Sequence, residues 1–308
     1  MPELSFFAPG RQIVVRCPPG EPLSVLRNQL ALMAPDWPVS DAARAAAPPA
    51  AIADLTVTYD QENCLWRLFA AGDNGPAASD PEPYDNIFGL THDLIGRLVD
   101  IYCERGEAVA HLHAGAVKVG GRLVLFLGDG FAGKSTLCLA MAHQGFTFFT
   151  DDALPVQIGD DGAATGTALQ LTPKMRLPLP ADMPGEVKDF LQDHQLAQIG
   201  DFMFVDPDFG NTDTPVRARF GEQCEIGALI VLQREDADAG ENRVELVETD
   251  RATVIKHLTD QTYARHWDAA TLLARLSTLT AQTRCLRLVY NNSAAAAEFL
   301  KCELLAKK

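Results

Sequence analysis

Two adjacent carboxylates, Asp151-Asp152, follow a glycine-rich segment closely enough that both could act on one phosphate. That segment, GDGFAGKS from Gly128 to Ser135, satisfies G-x-x-x-x-G-K-[ST] at every fixed position. Glycines let the backbone turn tightly enough for successive N–H groups to converge, and a following helix N-terminus adds partial positive charge, so the loop suits α- and β-phosphates. The residues expected to cradle ATP are Gly128, Asp129, Gly130, Phe131, Ala132, Gly133, Lys134, Ser135 and Thr136. Lys134 would neutralise β- and γ-oxygens, and the Ser135 hydroxyl would face Mg²⁺. Neither an Asn-Lys-x-Asp guanine reader nor a Leu-Ser-Gly-Gly-Gln signature occurs, which argues against a GTPase and an ABC-type ATPase.

The elements around these residues must bring them together. The apolar run Val124 to Leu127 reads as a strand entering the loop, Lys134 to His143 as a helix stopped by Gly145, and Phe146 to Thr150 as a strand ending at Asp151-Asp152. Strand, glycine loop, helix, strand is the βαβ order of a nucleotide-binding sheet. If that sheet is parallel, the ends of neighbouring strands share one crevice, and the two aspartates emerge beside the phosphates. Adjacent residues leaving a strand point in different directions. One carboxylate could then hold magnesium while the other takes a proton from an acceptor hydroxyl.

Upstream, Val109 to Val119 and Arg122 to Leu127 read as strands joined by the Gly120-Gly121 turn, with His111 and His113 alternating with apolar residues on the first. His113 is the second candidate for proton chemistry, although either histidine could be a half-buried strand residue. Farther on, helices are expected at Gly185 to His194, Arg251 to Thr262, Ala269 to Thr283 and Ser293 to Ala306, and strands at Ala228 to Gln233, Arg243 to Val247 and Cys285 to Tyr290. Before residue 106, strands are expected at Ile13 to Arg16, Leu55 to Tyr59 and Leu65 to Ala70, the last two joined by the turn Asp60 to Asn63. An apolar stripe from Ile87 to Tyr102 predicts a helix over Asp85 to Glu104, and Ala42 to Ala53 and Ala71 to Tyr84 read as linkers. The predicted division is therefore an N-terminal α+β module over 1–105 and a nucleotide-binding domain over 106–308.

Composition narrows the partners. The chain has 308 residues, 47% of them hydrophobic, with no apolar run near the roughly 20 residues a membrane helix needs. Its N-terminus has no basic segment followed by an apolar one, so a cytoplasmic location is expected. The seven cysteines show no CxxC pair and no regular spacing, as expected of reduced thiols rather than zinc ligands. A net charge of -15 opposes nucleic acid and anionic lipid surfaces.

From His113 through the GDGFAGKS loop to Asp151-Asp152, the sequence resembles the catalytic core of the HPr kinase/phosphorylase family, whose P-loop fold is akin to that of the ATP-dependent phosphoenolpyruvate carboxykinases. The resemblance implies an α/β fold with a P-loop kinase core of that type. It implies that His113 supports proton removal, Asp151 is the general base, Lys134 stabilises the transferred group, and Ser135 with Asp152 forms the magnesium site. Phe131 stands where the family has glycine, so Gly130 is expected to adopt the unusual backbone angle there instead. After residue 190 the family's second signature is missing, which argues against the phosphorolysis reaction and against the carrier protein HPr as substrate. Residues 1–100 do not resemble the regulatory domain of the classical enzymes, so a divergent kinase of small molecules or peptides is the closer match.

Four cations are candidates for contacting an anionic acceptor or the γ-phosphate: Lys174 and Arg176 in Thr172 to Pro180, and Arg217 and Arg219 two residues apart in Pro215 to Phe220. Asp201 to Asp213 reads as a substrate loop, and Met175 and Phe202 to Phe204 as core. The expected activity is ATP- and Mg²⁺-dependent transfer of the γ-phosphate to a serine or small-molecule hydroxyl. The acceptor would be a protein, a peptide or a small molecule, and a homo-oligomer is allowed. The alternatives are a non-catalytic ATP-sensing module that binds a partner and a carboxykinase-like enzyme acting on a small acid.

Overall fold

The computed structural model describes residues 3–8, 11–35, 37, 39–41, 55–70, 81–104, 109–181, 183, 185–206, 217–235, 242–264 and 266–305. The chain divides into two compact units, Met1–Arg105 and Gly106–Lys308. Among the described residues, no helix is long and apolar enough to cross a membrane.

The first unit contains β1 (Glu3–Ala8), β2 (Arg11–Arg16), α1 (Glu21–Met33), β3 (Val39–Asp41), β4 (Leu55–Asp60), β5 (Leu65–Ala70) and α2 (Ile87–Glu104). The strands form one sheet in the order β3-β1-β2-β4-β5. Only β2 and β4 run parallel. The β4–β5 turn is closed by Asp60, whose carboxylate accepts from the Glu62 and Asn63 amides at 3.0 and 3.2 Å. Helix α2 buries Leu90, Leu94 and Leu98 completely, the stripe its sequence predicts. Helix α1 is absent from the sequence expectations, although Pro22 sits in its first turn and Leu26, Leu30 and Met33 bury one face. The expected linkers at 42–53 and 71–80 lie outside the described residues.

The second unit contains β6 (Val109–His113), β7 (Gly115–Val119), β8 (Arg122–Leu127), α3 (Lys134–His143), β9 (Thr147–Thr150), β10 (Ala153–Ile158), β11 (Ala164–Thr167), β12 (Lys174–Arg176), α4 (Gly185–Asp193), β13 (Gln195–Ile199), β14 (Phe202–Val205), β15 (Gln223–Arg234), β16 (Val244–Glu248), α5 (Arg251–Gln261), β17 (Thr262–Tyr263), α6 (Ala269–Gln282), β18 (Arg284–Tyr290) and α7 (Ser293–Leu305). The main sheet runs β17-β6-β10-β11-β15-β8-β7-β9, with β18 and β16 joined to β15. Strands β12, β14 and β13 form a small separate sheet.

This sheet is mixed, which corrects the parallel arrangement expected from sequence. Strand β15 runs parallel to both β8 and β18. Strand β9, however, is not a neighbour of β8, because β7 lies between them and runs antiparallel to each. Two reversals restore the direction, so β8 and β9 still end on the same side. The expected strand Val109 to Val119 also breaks, at Ala114, and its halves take different partners. β6 pairs with β10, and β7 pairs with β8 and β9. Since His113 and Gly115 are two residues apart, the two arms of the sheet must curl toward each other there.

Both faces of the sheet are covered, which is why β8 reads as an unbroken apolar run. Val124 and Phe126 face Leu137 and Met141 of α3 and Leu300 of α7, while Leu123, Leu125 and Leu127 face Val254 and Leu258 of α5 and Leu276 and Leu279 of α6. The seven cysteines are unpaired.

Candidate functional site

The loop from Gly128 to Gly133 connects β8 to α3. Gly133, the N-cap of α3, has φ 94° in the left-handed region. A Cβ at this position would lie 2.2 Å from the Tyr290 hydroxyl, so glycine is required both for the angle and for the space. Tyr290 ends β18 and donates its hydroxyl to the Ala132 carbonyl at 2.7 Å. Gln261, at the end of α5, donates to the Gly128 carbonyl at 2.7 Å. Each end of the loop is therefore anchored by a side chain more than 130 positions away in sequence.

Lys134 is 8% exposed and donates to the carbonyls of Gly128 and Asp129 at 2.6 and 3.3 Å. Burial pushes its ammonium below the ordinary lysine value, against the upward pull of Asp152 and Asp129. The first N–H groups of α3 have no acceptor within the helix and lie at its positive end.

The expected glycine substitution at position 130 does not occur. Phe131 itself adopts the left-handed backbone, with φ 68°, and Gly130 is not among the positive-φ residues. A bulky residue there is strained by about 1–3 kcal/mol. Its ring is 78% exposed and stacks under the Arg176 guanidinium, whose carbon is 5.0 Å from the ring centre.

Asp151 and Asp152 leave the end of β9 in different environments. Asp151 is 5% exposed and accepts from the Ser135 hydroxyl and the Lys174 amide. Burial, reinforced by the adjacent Asp152 charge, pushes its pKa up to about 6. The Asp152 carboxylate is about a third exposed, contacting His113 Nδ1 at 2.6 Å and Lys174 Nζ at 3.3 Å. Burial acts to raise its pKa, but the His113 hydrogen bond and the Lys174 charge outweigh it and hold the carboxyl well below the usual range. His113 ends β6 opposite Ala153, and the Ala114 amide donates to the Asp152 carbonyl at 3.1 Å, which fixes the histidine beside this carboxylate.

The environments of the two carboxyls thus drive their affinities for protons apart. In metal-free protein, carboxyl ¹³C NMR should show Asp151 titrating near 6, and Asp152→Asn should bring it down toward the ordinary value. An unchanged midpoint would contradict the coupling. Because the folded pKa lies above the unfolded one, burial of Asp151 should cost stability as pH rises from about 4 through the folded value, and not below.

His113, Lys134, Ser135, Asp151 and Asp152 line one cavity of about 490 Å³, together with the loop residues Asp129 to Gly133 and Thr136. Gly128, the remaining loop residue, is anchored through its carbonyl to Gln261 and Lys134. His113 touches Asp152, and Ser135 is bonded to Asp151. Lys174, Arg176, Phe202 and Arg234 line the same cavity. Met175, Met203 and Phe204 are core, as expected, whereas Phe202 is only half-buried and faces the cavity. Arg217 and Arg219 are elsewhere: the Arg217 guanidinium donates to the Gln170 carbonyl, and both line a separate cavity with Lys118 and Glu222. Asp201 to Asp206 form a turn and β14, while the rest of the expected substrate loop, through Asp213, lies outside the described residues. His111 packs against Tyr263, with ring centres 5.4 Å apart.

Tyr290, Gln261 and the Lys174–Asp152 pair were not found from sequence. They come from strand ends and helix ends with no local motif.

The fold and site define a two-unit mixed α/β chain with a lysine-bearing glycine loop and a carboxylate pair in one cavity. No family model and no curated protein matches the chain. Among solved structures, the Hpr(Ser) kinase/phosphatase from Coxiella burnetii is similar at 14% identity and a TM-score of 0.31, over 64% of this chain and 94% of that one.

Proposed function

We propose that this chain is an ATP-dependent phosphotransferase with a P-loop kinase core of the HPr kinase type, acting on a serine or small-molecule hydroxyl. The observation that carries the proposal is the juxtaposition, in one cavity, of a buried loop lysine with two carboxylates held in contrasting environments. The acceptor oxygen forms a bond to the γ-phosphorus, the bond from that phosphorus to the β,γ-bridging oxygen breaks, and ADP leaves with the electron pair. The hydroxyl proton passes to a carboxylate.

Asp151 is the residue suited to take that proton, because burial raises its carboxyl pKa, to about 6 in the metal-free protein, so that it accepts a proton more readily than an ordinary aspartate. Asp152 is the permanently charged partner. His113 acts on Asp151 only through it: by holding Asp152 ionised, it maintains the charge that raises the neighbouring carboxyl. Lys134 exchanges its two loop carbonyls for β- and γ-oxygens and offsets charge there.

The donors present fit magnesium, being hydroxyl and carboxylate oxygens, and among the described residues no cluster of three His, Cys, Asp or Glu exists that could hold an ion alone. Ser135 and Asp152 would hold Mg²⁺ together with nucleotide oxygens, supplying charge neutralisation at the phosphates.

The test is incubation with γ-labelled ATP and a panel of hydroxyl acceptors, namely serine peptides, sugars, polyols and hydroxy acids. Label should move to at least one of them. Tight ATP binding with no transfer across the panel would replace the proposal with a sensing role.

A further inference from the structure

Strand β12 places Lys174 and Arg176 on one face, with Met175 buried on the other. Lys174 is tied to Asp152 at 3.3 Å, and its backbone amide donates to Asp151, the carboxylate that an acceptor hydroxyl must reach. Two residues along an extended strand, Arg176 is about 7 Å farther out. Two rings lie against its guanidinium: the centre of Phe202, its register partner on β14, is 5.1 Å from the guanidinium carbon, and that of Phe131 is 5.0 Å from it. A planar cation that stacks on aromatic faces keeps its N–H edge for in-plane, bidentate bonding to an anion.

We propose that Arg176, flanked by Phe131 and Phe202, determines acceptor specificity by binding a carboxylate or phosphate that the acceptor carries. The proposal rests on the phosphotransferase reading and adds the chemical class of the acceptor.

Three observations separate this role from contact with the nucleotide. First, the cation placed for inner phosphates is Lys134, at 8% exposure, whereas Arg176 is exposed and stacked on a ring that is itself 78% exposed, so the pair stands on the outer rim of the loop. Second, Phe131 holds a left-handed backbone without burying its side chain, and covering one face of Arg176 is the contact its ring makes. Third, the chain carries a charge of -15, yet Lys134, Lys174, Arg176 and Arg234 converge on this one cavity. The charge of Lys174 is met by Asp152, while Arg176 is exposed at the rim, where an arriving anion meets it.

The experiment uses the full chain loaded with Mg²⁺ and AMP-PNP, which fills the γ-phosphate position, and titrates it calorimetrically with inorganic phosphate and with acetate. At least one of these anions should bind wild type in the millimolar range. Arg176→Gln should weaken that binding tenfold or more, and Phe202→Leu, which keeps bulk but removes one ring face, about threefold. The affinity of Arg176→Gln for AMP-PNP should stay within twofold of wild type. The proposal is overturned if the loaded protein binds neither anion, if Arg176→Gln binds them as tightly as wild type, or if that variant loses tenfold in AMP-PNP affinity, which would place Arg176 on the nucleotide. Failure of wild type to bind AMP-PNP at all would remove the phosphotransferase reading itself and is visible before any anion is added.

Discussion

Asp151→Asn should transfer phosphate from ATP between about 10² and 10⁴ times more slowly than wild type while binding ATP as tightly. The amide is close in size and keeps one accepting oxygen for the Ser135 hydroxyl or the Lys174 amide, but it cannot receive the acceptor's proton. Single-turnover transfer of labelled phosphate, measured beside nucleotide affinity, separates the two effects. The same variant should be no less stable than wild type above pH 6, and more stable if the buried charge dominates, because the fold no longer has to hold an ionised carboxylate away from water. Transfer at the wild-type rate would remove Asp151 from the chemistry.

Gly133→Ala should weaken nucleotide binding by tenfold or more and destabilise the loop. The substitution asks alanine to hold a left-handed φ of 94°, at a cost of roughly 1–2 kcal/mol, and puts its methyl group 2.2 Å from the Tyr290 hydroxyl. Two contributions are involved, and only the second can be relieved. Tyr290→Phe removes the obstructing oxygen and, alone, should cost about 1 kcal/mol for the lost bond to Ala132. Combined with Gly133→Ala it should restore part of the loss, so the double variant should bind nucleotide better than additivity predicts. Strict additivity, measured by nucleotide titration and chemical denaturation, would show that the hydroxyl does not limit position 133.

What could be read from sequence divides along a physical line. Helix α3 and the strand end before Asp151-Asp152 are local: apolar spacing and turn residues set their extent, and the structure has both where the sequence predicts them. The α2 stripe was readable for the same reason. Pairings between distant segments were not. Nothing in Phe146 to Thr150 indicates that β7 will separate β9 from β8, because a strand covered on both faces shows only an apolar run and no register. The partner of His113 is not legible either, since the choice between Asp151 and Asp152 depends on how β6 meets β10. At the loop the neighbouring Gly130 could hold a left-handed angle at less cost, yet Phe131 adopts it and sets its ring against Arg176, a tertiary contact no local pattern encodes.

The β7–β8 turn, where Gly120 and Gly121 have φ of 59° and 87°, lies at the opposite end of β8 from the loop. Six strand residues separate the two, about 20 Å along the backbone. A fluorophore, an affinity handle or a surface tether placed at this glycine pair would be carried by a rigid, fully covered strand whose far end leads into the cradle. It could report on or immobilise the chain without entering the cavity.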